Sequence, residues 1–130
     1  MRKNITYNQP LEKEIGFSRA VRIGNFIAVT GTAPIAEDGS VHSPGNVYEQ
    51  SKRCLTIIKN VIEQAGGSLE DVIRTRILLR DMKTWKDAAK AHGEFFSNIQ
   101  PACTFAEVSG FINPEWLIEI EADCVLEDGK

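Results

Sequence analysis

The sequence predicts a single α+β domain over residues 1–130, a two-layer sandwich in which two helices cover one face of a mixed β-sheet. The 130 residues match the length of one ordinary domain, and 42% of them are apolar, which is enough for one hydrophobic core. Two stretches carry apolar residues at the three- and four-residue steps of an amphipathic helix, and short runs typical of strands flank both. The resulting order is β-β-α-β-α-β-β, with the helices forming the second layer.

Two short strands begin the predicted order. The apolar runs Ala20–Ile23 and Phe26–Thr30 are separated by Gly24-Asn25, a dipeptide typical of a hairpin turn. Gly31 follows the second run directly and predicts its end.

The two helices are predicted over about 47–65 and 83–96. Gly66 and Gly67 predict the end of the first, because glycine readily adopts the left-handed conformation of a helix C-cap. The apolar residues of the first helix are Val47, Cys54, Leu55, Ile58, Val61, Ile62 and Ala65. The predicted apolar stripe of the second comprises Trp85, Ala88, Ala89, His92, Phe95 and Phe96.

Three further strands are predicted at 72–79, 103–108 and 117–126. In the first, Ile73, Thr75, Ile77 and Leu79 alternate with their neighbours and define one face. In the last, the predicted buried face comprises Ile118, Ile120, Ala122 and Cys124.

The opposite face of the last strand carries three carboxylates, Glu119, Glu121 and Asp123. Like charges in a row repel unless water or cations relieve them. Two interpretations are open. The face is solvated, as is common in antiparallel sheets, or Arg74 and Arg76 lie opposite the carboxylates within or between subunits. A helix-free face also allows several chains to close around a common axis.

Composition excludes several classes of function. The net charge of −3 argues against nucleic-acid binding, which needs a clustered basic surface. No apolar run reaches the roughly 18 residues of a membrane span, and residues 1–9 lack the apolar core of a signal peptide. The three cysteines form no disulfide or metal-binding pattern, so we expect a reducing cytoplasm, no metal and no cofactor.

Two residues invite a catalytic interpretation. His92 lies on an apolar stripe, where a single histidine is more often a hydrogen-bonded core or interface residue than a catalyst. Cys103 begins a predicted strand, and no neighbouring residue in the sequence is one that would activate its thiol. Cys54 and Cys124 lie on apolar stripes and are predicted to be buried, inert thiols.

Several segments together resemble the RidA/YjgF family, in its order and spacing, over nearly the whole chain. The most specific is the strand 117–122, Leu-Ile-Glu-Ile-Glu-Ala, which follows Pro101-Ala102. The other matching segments are 16–20, 27–32, 69–75 and 93–96.

The resemblance implies a chorismate-mutase-like fold in which three subunits join their sheets into a central barrel with the helices outside. It also implies small-molecule pockets in the clefts between neighbouring subunits. The best-known activity of the family is the hydrolysis of reactive imines and enamines released by pyridoxal-phosphate enzymes.

The resemblance also assigns site residues. In deaminating members, an arginine after Pro-Ala binds the substrate carboxylate, and here Cys103 occupies that position. Phe17 and Ala89 match a pocket tyrosine and a pocket asparagine. Gly31 and Glu119 are retained, and the glutamate at this position holds the attacking water. The chain therefore resembles branches that lack the arginine.

These observations define the expected site and two competing functions. Glu119 is the predicted catalytic residue, and the predicted substrate-binding residues are Phe17, Arg19, Gly31, Arg76, His92, Cys103 and Thr104. Of these, Arg19, Arg76 and His92 are candidates to replace the missing arginine. The first function is the hydrolysis of an imine, enamine or related small substrate, and the alternative is a non-catalytic trimer that binds a metabolite or a partner protein.

Overall fold

The computed structural model describes residues 1–127, which form six strands and three helices. The strands are β1 (Arg2–Ile5), β2 (Ala20–Ile23), β3 (Phe26–Thr32), β4 (Val72–Leu79), β5 (Ala102–Glu107) and β6 (Ile118–Val125). The helices are α1 (Pro10–Ile15), α2 (Val47–Gln64) and α3 (Trp85–Phe96). Single turns of 3₁₀ helix, Leu69–Asp71 and Met82–Thr84, precede β4 and α3.

All six strands form one mixed sheet in the order β1-β2-β3-β6-β4-β5. Every neighbouring pair is antiparallel except β4 and β5, which are parallel. A parallel pair needs a crossover connection, and α3 supplies it. The predicted mixed sheet is confirmed.

The two long helices cover one face of the sheet, as predicted. At the start of α2, the Asn46 side chain accepts a hydrogen bond of 3.0 Å from the backbone N–H of Glu49. The helix ends before Gly66, whose φ of +93° is the left-handed conformation expected of glycine there. Its buried face packs on β3, β6 and α3.

Strand β6 lies at the centre of the sheet and follows its predicted alternation. The four residues of its helix-facing side are each 1% exposed or less: Ile118, Ile120, Ala122 and Cys124. Glu119, Glu121 and Asp123 are half-buried on the other side, which we call the open face. The binary pattern of this strand therefore fixes which side of the sheet carries the charges.

Two β-bulges correct the predicted strands. On β3, Val29 pairs with Ala122 and Thr32 pairs with Ile120, so two residues of β3 lie opposite one residue of β6. The strand therefore continues through Gly31 instead of ending there. The extra residue lets Val29 and Thr32 both point toward the helices, where they are 5% and 2% exposed.

On β4, the bulge falls at Ile73. Val72 pairs with Cys124 and Arg74 pairs with Asp123, which are adjacent on β6, so Ile73 is the extra residue. Ile73 therefore does not share the face of Thr75, Ile77 and Leu79 that the alternation predicted for it, because the bulge turns it outward to 50% exposure. Val72 is buried at 3% instead.

The predicted stripe of the second helix also needs one correction. Trp85 is 44% exposed, whereas Ala91, which the prediction left out, is fully buried. The reason is that Met82–Thr84 forms a 3₁₀ turn and Trp85 is the first residue of α3. Its ring lies edge-on to Phe105 of the edge strand β5, with ring centroids 6.2 Å apart.

Strand β1 and helix α1 were not predicted. Only Ile5 of β1 is buried, and the buried residue of α1 is Glu12, so neither element carries an apolar pattern. No helix within residues 1–127 combines the length and apolarity needed to cross a bilayer.

Candidate functional site

The candidate site is centred on Glu119, whose carboxylate lies over Gly31 of the neighbouring strand. A Cβ atom placed on Gly31 would be 2.8 Å from Oε1 of Glu119, closer than such atoms approach in real proteins. The bulge of β3 places Gly31 on the open face, and the missing side chain leaves the space that the carboxylate occupies. The structure thus brings together two of the residues that the sequence assigned to the site.

The surroundings of Glu119 raise its pKa to about 7, from an ordinary value of 4.5. Burial is the largest cause, since it penalises the charged form, and repulsion by Glu121 adds to it. The guanidinium of Arg19 acts in the opposite direction and lowers the pKa. A carboxyl group with a pKa near 7 exchanges protons readily at neutral pH, which suits a general acid or base.

The close contact with Gly31 predicts a measurable titration shift. In Gly31→Ala, the new methyl group is expected to displace the Glu119 carboxylate toward water and lower its pKa from about 7 toward 4.5. Titration of the carboxyl ¹³C resonance of Glu119 by NMR measures this. Gly93→Ala on α3 is the control, because a Cβ there meets no atom within 4 Å. A midpoint that stays near 7 in Gly31→Ala would contradict the geometry.

Arg76 neutralises the other two carboxylates of the open face. Its Nη1 lies 3.4 Å from Oε1 of Glu121 and 3.3 Å from Oδ2 of Asp123. Arg74 lies opposite Asp123 in the strand register. The repulsion along β6 is therefore relieved within one chain, at the cost of occupying the Arg76 guanidinium.

Arg19 and Phe17 lie where α1 leads into β2. The Arg19 guanidinium lies over two rings, with its central carbon 5.4 Å from the ring centre of Phe17 and 5.6 Å from that of Tyr7. Its Nε forms an ion pair of 3.2 Å with Oε2 of Glu12. This cation is thus held in a fixed orientation close enough to act on the pKa of Glu119.

His92 lies on the helix-covered side of the sheet, away from Glu119. Its Nε2 is 2.8 Å from the hydroxyl of Thr75, which is fully buried on β4. Its ring contacts that of Phe96, and burial lowers its pKa. These contacts match a hydrogen-bonded histidine in the core more closely than a free cation.

Cys103 and Thr104 lie on the edge strand β5, on opposite sides of the sheet. Cys103 pairs with Thr75 and therefore shares the helix-covered side, where its thiol is exposed. Thr104 pairs with Arg76 on the open face. Within one chain the predicted site residues thus fall into two groups, with Gly31, Glu119, Arg76 and Thr104 on the open face.

Sequence reasoning missed Glu12, the residue that holds Arg19 in place. Its carboxylate also accepts hydrogen bonds from the backbone N–H groups of Tyr7 and Gln9, at 3.1 and 3.3 Å. Glu12 is 5% exposed. A glutamate in a polar segment gives no sign of burial, so the sequence offered no signal for it.

The fold and the open face define a class of two-layer α+β domain whose helix-free sheet surface carries the titratable groups. The family model described as endoribonuclease L-PSP matches residues 8–126. A RutC family protein of Pyrococcus abyssi is 35% identical over 123 residues, covering 94% of this chain and 96% of that protein. The 3-aminoacrylate deaminase RutC of Acinetobacter baylyi is 34% identical over 101 residues, covering 78% of this chain and 79% of that protein.

Solved structures agree with the sequence relatives. A member of the YjgF/YER057c/UK114 family from Mycobacterium tuberculosis has a TM-score of 0.87 and 34% identity, covering 97% of this chain and all of that one. A structure from Thermotoga maritima, named as a putative endoribonuclease, has a TM-score of 0.82 at 29% identity, covering 96% of this chain and 93% of that one. The chain belongs to the RidA/YjgF family.

Proposed function

We propose that this chain forms a cytoplasmic homotrimer that binds small molecules in its inter-subunit clefts and hydrolyses reactive imines or enamines there. The observation that carries the proposal is the Glu119 carboxyl group, which lies over Gly31 with a pKa of about 7. The similarity to a protein named 3-aminoacrylate deaminase supports an enamine or its imine tautomer as the substrate class.

In the proposed reaction, Glu119 handles the proton of the attacking water. The substrate reacts as its protonated imine. The ionised carboxylate takes a proton as the water oxygen bonds to the imine carbon, and the C=N electron pair moves to nitrogen to give a neutral carbinolamine. The protonated Glu119 then returns the proton to the amine nitrogen, the C–N bond breaks, and the hydroxyl proton passes to the departing ammonia, so that a carbonyl and an ammonium ion remain. One water is consumed for each ammonia released, and the site ends in its starting state.

Recognition of the substrate must differ from that of arginine-bearing relatives. Cys103 cannot pair with a carboxylate as a guanidinium does, because a neutral thiol offers only a weak donor. Arg76 is paired with Glu121 and Asp123, and His92 bonds to Thr75, so both have protein partners. Arg19 also has a partner, since its Nε is paired with Glu12, but it is the candidate that acts electrostatically on Glu119, and we therefore favour it for binding an anionic substrate.

The trimer is supported by apolar side chains left uncovered on the sheet. Phe26 pairs with both Ile23 and Val125, so the three side chains share the open face, and each is more than 40% exposed. An apolar group of this kind beside paired charges is typical of a surface that another chain covers. A native mass three times the 14.4 kDa of one chain would agree with this assembly.

The function is tested by following ammonia release from 2-aminoacrylate and 3-aminoacrylate in the presence of the purified trimer. The rate must exceed spontaneous hydrolysis, and Glu119→Gln must remove the excess. Asp123→Asn is the matched control, because it changes another carboxylate on the same face of β6. An excess rate that survives in Glu119→Gln would defeat the assignment of Glu119.

The alternative function is a non-catalytic trimer that binds a metabolite or a partner protein. The observation in its favour is that Cys103 lies on the side of the sheet opposite Glu119. Ligands that raise the thermal stability of the native protein without being consumed would favour this alternative, since binding to the folded state alone stabilises it.

A further inference from the structure

A second cleft lies within one chain, between the segment that leads into β2, the loop after β3 and helix α2. It has a volume of about 480 Å³, in the range of small-molecule sites. Its walls include Tyr7 and Arg19 from the start of the chain, Arg53 and Ile57 from α2, and Trp116 from the loop before β6. Neither Glu119 nor Gly31 lines it, so it does not include the reacting carboxyl group, although Arg19 is common to this cleft and the site of the proposed hydrolysis.

Arg53 presents unused hydrogen-bond donors to this cleft. Its Nε donates to the carbonyl of Ile35 at 2.6 Å, which fixes the plane of the guanidinium. Over residues 1–127, no carboxylate lies within ion-pair distance of Arg53, and its terminal nitrogens have no hydrogen-bond acceptor. A guanidinium has five N–H donors in a fork that matches a carboxylate, so one edge remains available to a ligand.

Tyr7 adds a second donor beside the arginine. In the described part of the chain its hydroxyl has no hydrogen-bond partner, although its backbone N–H is bonded to Glu12. Burial raises the pKa of Tyr7, while the positive charges of Arg19 and Arg53 lower it. The phenol is therefore neutral at pH 7, and it lies within the electrostatic reach of both guanidinium groups.

The other residues that line the cleft determine which anions it can bind. Ile35, Ile57 and Trp116 provide apolar walls. Glu37 and Asp38 are exposed at the rim, where their charges disfavour a ligand with two or more negative charges. We propose that this cleft binds a small monocarboxylate with an apolar body, whose carboxylate pairs with Arg53 and accepts a hydrogen bond from the Tyr7 hydroxyl.

Benzoate is a suitable probe, and Trp116 is a built-in reporter. The chain has two tryptophans, and Trp85 lies outside the cleft, so a Trp85→Phe background leaves Trp116 as the fluorophore. We expect benzoate to change this fluorescence saturably. Benzamide, which has the same shape and no charge, and phthalate, which has two charges, are expected to bind at least about tenfold more weakly.

Two substitutions test whether Arg53 is the residue that binds benzoate. Arg53→Gln is expected to weaken benzoate binding by about 10- to 100-fold, the range for losing a charge-assisted hydrogen bond. Arg22→Gln is the matched control, because Arg22 also binds a backbone carbonyl, that of Ala65 at 2.8 Å, but does not line the cleft. It should leave benzoate affinity unchanged.

Three results would overturn the proposal: no saturable response to benzoate, equal affinity for benzamide, or equal losses in Arg53→Gln and Arg22→Gln. If Arg53→Gln does not fold, the comparison of benzoate with benzamide on the unaltered cleft decides the question. Because the cleft does not include Glu119, binding that persists in Glu119→Gln keeps this outcome distinct from that of the hydrolase assay.

Discussion

Replacing Glu119 by glutamine is expected to abolish the proposed imine hydrolysis and, at the same time, to make the folded chain more stable above pH 7. Glutamine keeps the size of the side chain and its contact with Gly31, but it cannot exchange a proton. General acid–base catalysis contributes about 10²–10⁴-fold to a rate, so the excess rate over spontaneous hydrolysis should fall at least about 100-fold. Ammonia release, compared with that of Asp123→Asn, measures this loss.

The gain in stability follows from the sign of the pKa shift. The folded chain holds the proton of Glu119 with a pKa of about 7, against 4.5 in an unfolded chain. This contribution to the free energy of unfolding is fully present below pH 4.5 and is lost as the pH rises through 7. Above that range the native state carries an ionised carboxylate that burial and Glu121 disfavour, whereas glutamine is neutral at every pH.

The size of the gain is limited by the partial exposure of Glu119. The full shift corresponds to an upper bound of about 3 kcal/mol, and solvent screening reduces this to about 1–2 kcal/mol. Urea unfolding at pH 5 and pH 8, at one protein concentration, gives the free energy of unfolding of both proteins. The difference between Glu119→Gln and the unaltered chain should shift in favour of the variant from pH 5 to pH 8. A difference that is the same at both pH values would contradict the raised pKa.

The opposite directions of the two effects separate a functional carboxylate from a structural one. Replacing a structural carboxylate by a neutral residue is expected to destabilise the folded chain, and this is the result expected for Glu12. Glu119 is disfavoured in its charged form by its own surroundings, and such unfavourable placements are typical of catalytic groups. A variant that loses both activity and stability at pH 8 would point to a supporting role for Glu119 instead.

The sequence predicted the two faces of the sheet well, because buried apolar residues recur at every second position wherever strands pair regularly. The alternation of β6 placed Glu119 on the open face and Ile120 in the core, and both placements are confirmed. The same logic failed at Ile73, where a bulge inserts one residue and shifts the period, and the strand end predicted from Gly31 was wrong because a second bulge carries β3 through that residue. A single sequence carries no mark of such an insertion, since pairing partners are far apart along the chain.

Polar contacts between distant segments were also beyond sequence reasoning. The bond from Arg53 to the carbonyl of Ile35 joins residues 18 positions apart, and the pairing of Arg76 with Glu121 joins residues 45 apart. Local pattern predicts a residue's face, but not its partner on another element. For this reason the second cleft was not predicted, whereas Arg74 and Arg76 could be proposed opposite the carboxylates from strand alternation alone.

Replacing Glu12 by alanine is expected to be the most damaging single change to stability considered for this chain. The side chain is 5% exposed and supplies the acceptor for Arg19, itself 11% exposed. It also bonds the backbone N–H groups of Tyr7 and Gln9 at the start of α1. Alanine would leave a buried guanidinium without its carboxylate, and breaking such a pair costs about 3–5 kcal/mol.

Glu14→Ala is the matched control, because Glu14 lies on the same short helix but is exposed. Its effect should stay within about 0.5 kcal/mol, as for surface substitutions in general. The midpoints of unfolding in guanidinium chloride, measured for the two variants at equal protein concentration, give the comparison. Equal midpoints would mean that Glu12 is not the anchor of the segment before β2.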